Sequence, residues 1–408
     1  MTPPRVVIIG AGHAGGSAAA LLRQYGHPGP ITLIGEEPYL PYQRPPLSKA
    51  WLKGEAGEAE LQLRPPAFYD DQAIAVRVAT RAVSIDRIQK VVILRTGEPI
   101  AYDSVILATG ARARELPVPG AELDGVLALR SADDAETLKA HLGPGRRLLV
   151  IGGGYVGLEV AASARALGAE VTVVEREARL LARVAGEALS GFFHAYHTAR
   201  GVRFFLGGAV TALEAGEDGQ VVAARLDHGE RLPCDVALVG VGAVPNQALA
   251  QSAGLDCQDG VVVDEQARTS DPDIFAIGDV SRRPLPLYGR SFRLESVPSA
   301  LEQAKQAAAA ITGHKPPAPE VPWFWSDQYD LKLQIAGLPF DVDHRVLRGD
   351  PAGGRFAVFH MMGPLIQAVE AVNAPAEFMG GRLLIGARRP VSLEKLADPA
   401  VSMKEVAA

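Results

Sequence analysis

The sequence predicts an α/β protein with two Rossmann-like dinucleotide-binding domains, one inserted into the other, and a small C-terminal α/β domain. Three observations carry this prediction. An apolar strand, a glycine turn and a helix follow one another at Arg5–Gly16 and again at Arg147–Glu159. Each unit leads into a second apolar strand with an acid at its end. After a stretch with four prolines in the seven residues 316–322, the pattern changes to aromatic and β-branched alternation.

The elements follow in order. Val6 to Ile9 is a continuous apolar strand, and an Ala/Leu-rich helix runs from the glycines to about Tyr25. Ile31-Thr-Leu-Ile-Gly35 is the next strand. Strands that are apolar throughout and alternate with helices belong to parallel sheets covered on both faces. Arg147 to Ile151, a helix to about Leu167 and the strand Glu170–Glu175 repeat the unit about 140 residues later. Ile274-Phe-Ala-Ile277 is a short strand ending in Gly278-Asp279. The prolines at 316–322 read as a linker. Beyond them, Phe356–His360 and Leu365–Val372 suggest an antiparallel sheet.

The glycines carry the chemistry. Gly10-x-Gly12-x-x-Gly15 permits a tight turn, close approach of backbone to a pyrophosphate, and close helix–strand packing. Phosphates then lie at the helix N-terminus, where free N–H groups and the helix dipole favour negative charge. Glu36, 26 residues after Gly10, is placed to accept from a ribose diol. Gly152-x-Gly154-x-x-Gly157 with Glu175, 23 residues after Gly152, is the second copy. Two dinucleotide sites imply two cofactors working together, a tightly held flavin and an exchangeable nicotinamide. Val105–Gly110 and Thr269–Asp279 bracket the second copy, so the first domain is interrupted and later completed.

Composition narrows the setting. The 408 residues are too many for one ordinary domain. A net charge of −6 argues against general nucleic-acid binding. No apolar run approaches the roughly 18 residues of a membrane span. The start, Met1 to Gly10, has no basic segment followed by a signal-peptide core, so a cytoplasmic protein is expected. Cys234 and Cys257 are separated by 22 intervening residues, which is neither a CxxC pair nor a zinc pattern, and no metal site is expected.

With these motifs in place, the chain resembles the NADH-dependent ferredoxin reductases of bacterial oxygenase systems. The resemblance rests on Gly10–Gly15, Pro45-Pro-Leu-Ser-Lys49, Ala108-Thr-Gly110, Gly152–Glu159, Gly240-Val-Gly-Ala-Val-Pro-Asn246 and Gly278-Asp279. Glu295–Ala304 and Trp323–Tyr329 are its most specific parts. It implies an FAD domain at 1–112 and 244–320, an NADH domain at 113–243 and a C-terminal domain at 321–408. It implies FAD held by Ala14, Glu36, Lys49, Ala82, Arg130, Asp279 and Val297, with Thr109 and Gly278 from its motifs. A carboxylate at a strand end suits ribityl hydroxyls, which gives Asp279 a physical reason; Arg130 would neutralise pyrophosphate. Lys49 and Glu159 are expected as a pair beside the flavin, since a buried lysine needs a partner. Tyr155 is expected over the flavin face, where it moves for nicotinamide to stack.

The missing cysteine pair separates the chain from disulfide reductases on this fold. The matching stretch is Pro-Pro-Leu-Ser-Lys, so no dithiol relay is available. Electrons are expected to leave the flavin singly for an external protein. Glu175 repels a 2′-phosphate and bonds a free 2′-hydroxyl, which favours NADH, with Arg176 beside it softening that choice. The implied partner is a small acidic [2Fe–2S] ferredoxin. Six Lys/Arg against two acids between Ser281 and Lys315 mark Arg282, Arg283, Arg293 and Lys305 as its docking charges on a monomeric reductase. Competing readings are a rubredoxin reductase or NADH oxidase on the same fold. An apoptosis-inducing-factor-like signalling flavoprotein is the rival from another class.

Overall fold

The computed structural model describes residues 3–407. The chain divides into two compact units. One comprises Met1–Arg44, Glu58–Arg112 and Val244–Glu320; the other comprises Pro45–Gly57, Ala113–Ala243 and Val321–Ala408.

In the first unit, the apolar strand Val6–Ile9 is the centre of a five-stranded parallel sheet. Ile31–Ile34 and Ile74–Arg77 lie to one side, and Ser104–Leu107 and Ile274–Ala276 to the other. Ile274–Ala276 pairs with a strand about 170 residues upstream, which is the expected interruption and return. Helix His13–Gln24 begins at Gly12 and buries Ala14, Ala18, Ala19 and Leu22. Those small side chains share one core with Ala300, Ala304, Ala307 and Ala308 of helix Val297–Thr312. Ser296 caps that helix through Ser299 N–H, and Gly313 ends it in the left-handed conformation. An antiparallel meander, Ala82–Asp86, Val91–Leu94 and Pro99–Ala101, completes this part.

The second unit repeats the plan. Arg147–Ile151 is central, with Glu170–Glu175 and Val202–Leu206 on one side and Val236–Val239 and Val126–Leu127 on the other, all parallel. It has its own meander, Val210–Ala215, Val221–Leu226 and Arg231–Pro233. The expected antiparallel C-terminal sheet runs in the order Trp323–Gln328, Leu331–Gly337, Leu365–Val372, Arg355–Met362, His344–Asp350. Leu331, Leu333, Phe356 and Val358 from this sheet share a core with Leu158, Leu189 and Phe193.

Pro45–Gly57 was expected with the first domain. It packs instead in the second unit, because Leu52 is buried among Leu138, Leu148 and Val160. The charge on Lys139 also lies over the Trp51 ring. Among the described residues no helix is long and apolar enough to cross a membrane.

Candidate functional site

The two glycine loops divide their work in the same way. Gly10 has φ +117°, and a Cβ there would stand 2.1 Å from Ala108 O. A Cβ at Gly15 would stand 1.9 Å from Gly10 O. These two glycines are required by the fold. Gly12 differs, since a Cβ there would meet only Arg44 Nη2, at 4.0 Å. The space beside Gly12 is therefore open, at the start of a helix that no side chain caps. In the second loop, Gly152 (φ +110°) and Gly157 are each closed by backbone oxygens at 2.5 Å, from Gly240 and Gly152 respectively. Gly154 has nothing within 4 Å. Each loop is thus a cradle with room for a phosphate.

Around the first cradle, Gly278 (φ +74°) comes so close that a Cβ on it would be 3.0 Å from Ala14 Cβ. This brings Asp279 to the start of the first helix. Gly278 N–H donates to Gln303 Oε1 at 2.9 Å. Thr109 Oγ1 donates to Asn246 O, and Asn246 Nδ2 donates back to Thr109 O, both at 2.9 Å. The loop positions, Thr109 and Gly278-Asp279 therefore gather at the C-terminal ends of three parallel strands, where open α/β sheets bind ligands. Val297 begins the long helix behind Ser296. Glu36 is largely exposed and paired with Arg81 at 2.9 Å, next to Ala82. Arg130 lies in the second unit, just before helix Ala132–Ala140, and its N–H donates to Asp134 Oδ2 at 2.9 Å.

Sequence reasoning missed two groups here. Arg44 donates to Glu37 Oε1 at 2.6 Å and to Tyr42 OH at 3.1 Å, which holds its guanidinium near Gly12. His13, inside the fingerprint, has a buried Nδ1 with no hydrogen-bond partner. Burial lowers the His13 pKa, Arg64 adds to this, and Asp279 opposes it. A cation directly before the two prolines, and a histidine among glycines, were the available signals. An orphaned buried nitrogen and a cation beside an open cradle fit a dinucleotide.

At the second cradle, Glu175 is more than a sugar acceptor. Its Oε2 accepts Gly153 N–H at 2.7 Å and its Oε1 accepts Glu177 N–H at 2.8 Å, so the carboxylate fixes the turn. Arg176 is exposed and leans toward Glu177. Tyr155 opens helix Tyr155–Ala166 and packs edge-on against Phe324, with ring centroids 4.7 Å apart. Burial raises the Tyr155 pKa well above its ordinary value, and the charge of Glu370 adds to this.

Lys49 and Glu159 are in contact, Nζ to Oε2 at 2.6 Å. Lys49 also donates to Pro45 O at 3.0 Å and Ser48 Oγ at 3.2 Å. Glu159 accepts further from Ser48 Oγ at 2.5 Å and, on Oε1, from Ser326 Oγ at 2.7 Å. Ser163 Oγ donates to Ser48 O at 2.8 Å. A carboxylate only 5% exposed is thereby satisfied on both oxygens. Ser48 and Ser326 stood inside motifs read in the sequence, yet nothing in a linear pattern joins them to Glu159.

The docking charges need correction. Arg283 is buried and forms a two-pronged pair with buried Glu302, at 2.6 and 2.9 Å, so it presents no charge to a partner. The Arg293 side chain is only 11% exposed and is paired with Glu295 and Asp259. Lys305 is half-exposed but sits 3.3 Å from Glu320. Arg282 is half-buried, with Nη2 on Ser291 O. A charge count along the chain cannot see which cations are already neutralised.

Comparison with known proteins decides the family. The pyridine nucleotide-disulphide oxidoreductase family model matches residues 4–304. The chain belongs to this family. A reductase C-terminal model matches residues 323–407. The chain is 50% identical to a probable ferredoxin reductase of Castellaniella defragrans over 404 residues, covering 99% of this chain and 98% of that one. It is 42% identical to a rubredoxin-NAD(+) reductase of Pseudomonas putida over 370 residues, 91% of this chain and 96% of the other. The crystal structure of the covalent putidaredoxin reductase–putidaredoxin complex matches with a TM-score of 0.97 and 41% identity. That match covers 100% of this chain and 98% of the solved one.

As a pyridine nucleotide-disulphide oxidoreductase, this protein works with FAD and NADH, the cofactors its two cradles led one to expect. It departs from the family name in its thiols. Its two cysteines form no disulfide. Burial pushes the Cys234 thiol up to about 11 and raises Cys257 as well, so neither is an activated thiolate.

Proposed function

We propose that this protein takes hydride from NADH and passes electrons, through FAD, to a small [2Fe–2S] ferredoxin that supplies an oxygenase. It would act as a monomer in the cytoplasm. One observation carries the reading: a likeness along the whole chain to a putidaredoxin reductase solved in covalent complex with putidaredoxin. The unactivated cysteines support it, since they offer no dithiol to stand between flavin and acceptor.

In this reading FAD lies on the cradle of Gly10, Gly12, Ala14 and Gly15, with Glu36, Ala82, Thr109, Gly278, Asp279 and Val297 lining it; Lys49 and Arg130, the rest of the expected set, belong to the second unit. NADH lies on Gly152, Gly154 and Gly157, with Glu175 toward its ribose. The flavin supplies the conversion of a two-electron donor into single electrons. The residues supply position and charge. Lys49 Nζ, paired with Glu159, would supply a positive charge that favours negative charge on a bound cofactor. Tyr155 remains a neutral phenol packed against Phe324 and would have to move for a nicotinamide to stack in its place. Arg282 and Lys305 are the half-exposed cations left from the expected docking set. Gly12 and Gly154 have room beside them for phosphate, whereas Glu175 carries the charge that repels a 2′-phosphate.

The second reading, a rubredoxin reductase, rests on the 42% identity to such an enzyme. One experiment separates them. The yellow protein is reduced anaerobically with NADH, then offered a [2Fe–2S] ferredoxin or rubredoxin. Bleaching by NADH followed by faster ferredoxin reduction is expected. Failure to bleach removes both readings, and faster rubredoxin reduction selects the second.

A further inference from the structure

The second cradle is walled by the segment Arg179–Gly186. Leu181 N–H donates to Gly153 O at 3.0 Å, and Leu180 packs against Gly153 so closely that a Cβ there would stand 2.6 Å from it. Tyr155 OH reaches Val184 O at 3.4 Å. The wall is strained, because Leu181 has φ +55°, a left-handed conformation that costs a branched side chain energy. Such a conformation persists only when it is held from several sides. Arg179 holds it from within, donating to Ala182 O, Ala185 O and Ser190 Oγ at 2.7–3.0 Å.

The far end is held from the C-terminal sheet. Gly186 is the N-cap of helix Glu187–Thr198 and has no side chain to cap it. Glu370, on strand Leu365–Val372, fills that role: its Oε1 accepts Gly186 N–H at 2.8 Å. The negative charge also complements the positive end of the helix dipole. His360, on the adjoining strand, sets its Nε2 3.2 Å from Glu370 Oε2. Glu370 and His360 are 1% and 2% exposed. Burying a carboxylate is costly, and an apolar residue would fill the same space at lower cost. Glu370 therefore needs a polar partner in that space, and the Gly186 N–H is the one its Oε1 has.

We infer that Glu370, backed by His360, is a positioning residue for NADH: it fastens the wall of the second cradle to the C-terminal sheet through the Gly186 N–H. The inference rests on the reading that this cradle holds NADH. It gives the C-terminal domain a part in nucleotide affinity, distinct from any part in partner docking.

Three variants of the FAD-loaded protein test it: Glu370→Leu, Glu370→Gln and Gly186→Ala. A Cβ at Gly186 would press at 3.2 Å on both Glu370 Oε2 and the His360 ring, so this variant strains the fastening without removing either partner. NAD+ affinity is measured by titration calorimetry, and steady-state kinetics with NADH and ferricyanide. Glu370→Leu and Gly186→Ala are expected to weaken NAD+ binding and raise KM for NADH about tenfold, with kcat within about twofold. Glu370→Gln, whose amide oxygen still accepts from Gly186, is expected to recover most of the affinity. Unchanged Kd and KM in Glu370→Leu and Gly186→Ala overturn the inference. So does a lower kcat at unchanged KM, or a Gln variant as impaired as Leu. If Glu370→Leu does not fold, Gly186→Ala decides. A wild-type protein that NADH neither binds nor reduces removes the underlying reading instead.

Discussion

At the scale of single residues, burial decides what a charge is worth. Glu159 is satisfied by Lys49, Ser48 and Ser326, and removing the cation leaves a carboxylate buried without its counter-charge. Lys49→Met is expected to cost about 3–5 kcal/mol, read as a lower urea midpoint. Adding Glu159→Gln to it should restore much of that loss, whereas additive losses would show that the two side chains do not interact. His197 gives a pH effect of known sign. It is fully buried, its Nε2 is 2.8 Å from Gln328 Oε1, and burial lowers its pKa to about 4, with Arg200 adding to this against the Gln328 bond. Its ordinary value is 6.5, so between pH 6.5 and 4 the unfolded chain binds the extra proton. The stability His197 confers is complete above pH 6.5 and is lost as pH falls toward 4, by about 3 kcal/mol at most. Denaturant melts at pH 7.5 and 4.5 measure this, and His197→Gln should flatten the difference. Neither network could be read from the sequence, because Ser326 and Gln328 are more than 120 residues from the groups they satisfy.

At the scale of the element, the strand–glycine–helix units were legible almost residue by residue. Helix Tyr155–Ala166 and strand Glu170–Glu175 fall where apolar runs and glycines put them, since those signals are local. What the pattern could not give is the different work of glycines in one motif. Gly154 has ordinary extended backbone and empty space beside it, while a Cβ at Gly157 would strike Gly152 O. Gly154→Ala is therefore expected to fold with wild-type stability and to bind NAD+ at least about tenfold more weakly, by filling the phosphate's room. Gly157→Ala is expected to lose about 1–3 kcal/mol as the helix is pushed from its strand. Thermal melts and NAD+ titrations on both variants check the contrast, and equal melting losses would show that the two glycines are equivalent.

At the scale of the whole molecule, the proposed partner enters through the cations that stay half-exposed. Arg282→Glu with Lys305→Glu is expected to slow ferredoxin reduction roughly tenfold at low salt and to flatten its salt dependence, leaving NADH reduction of FAD intact. Arg283→Ala should act differently, through stability, since it strips a buried partner from Glu302. Stopped-flow rates across ionic strength, beside melts, tell these apart; an unchanged ferredoxin rate with the double reversal would exclude this face. By itself the sequence determined the two dinucleotide units, their interruption and return, the antiparallel end domain and the family. All of these are written in periodicity and short motifs that act over a few residues. Only the tertiary structure decided that Pro45–Gly57 packs with the second unit, that Glu159 is held by serines from two other segments, and that Arg283 is spent on Glu302. The reason is physical. The value of a charge or a hydroxyl depends on burial and on its neighbours in space, and neither is encoded at a fixed distance along the chain.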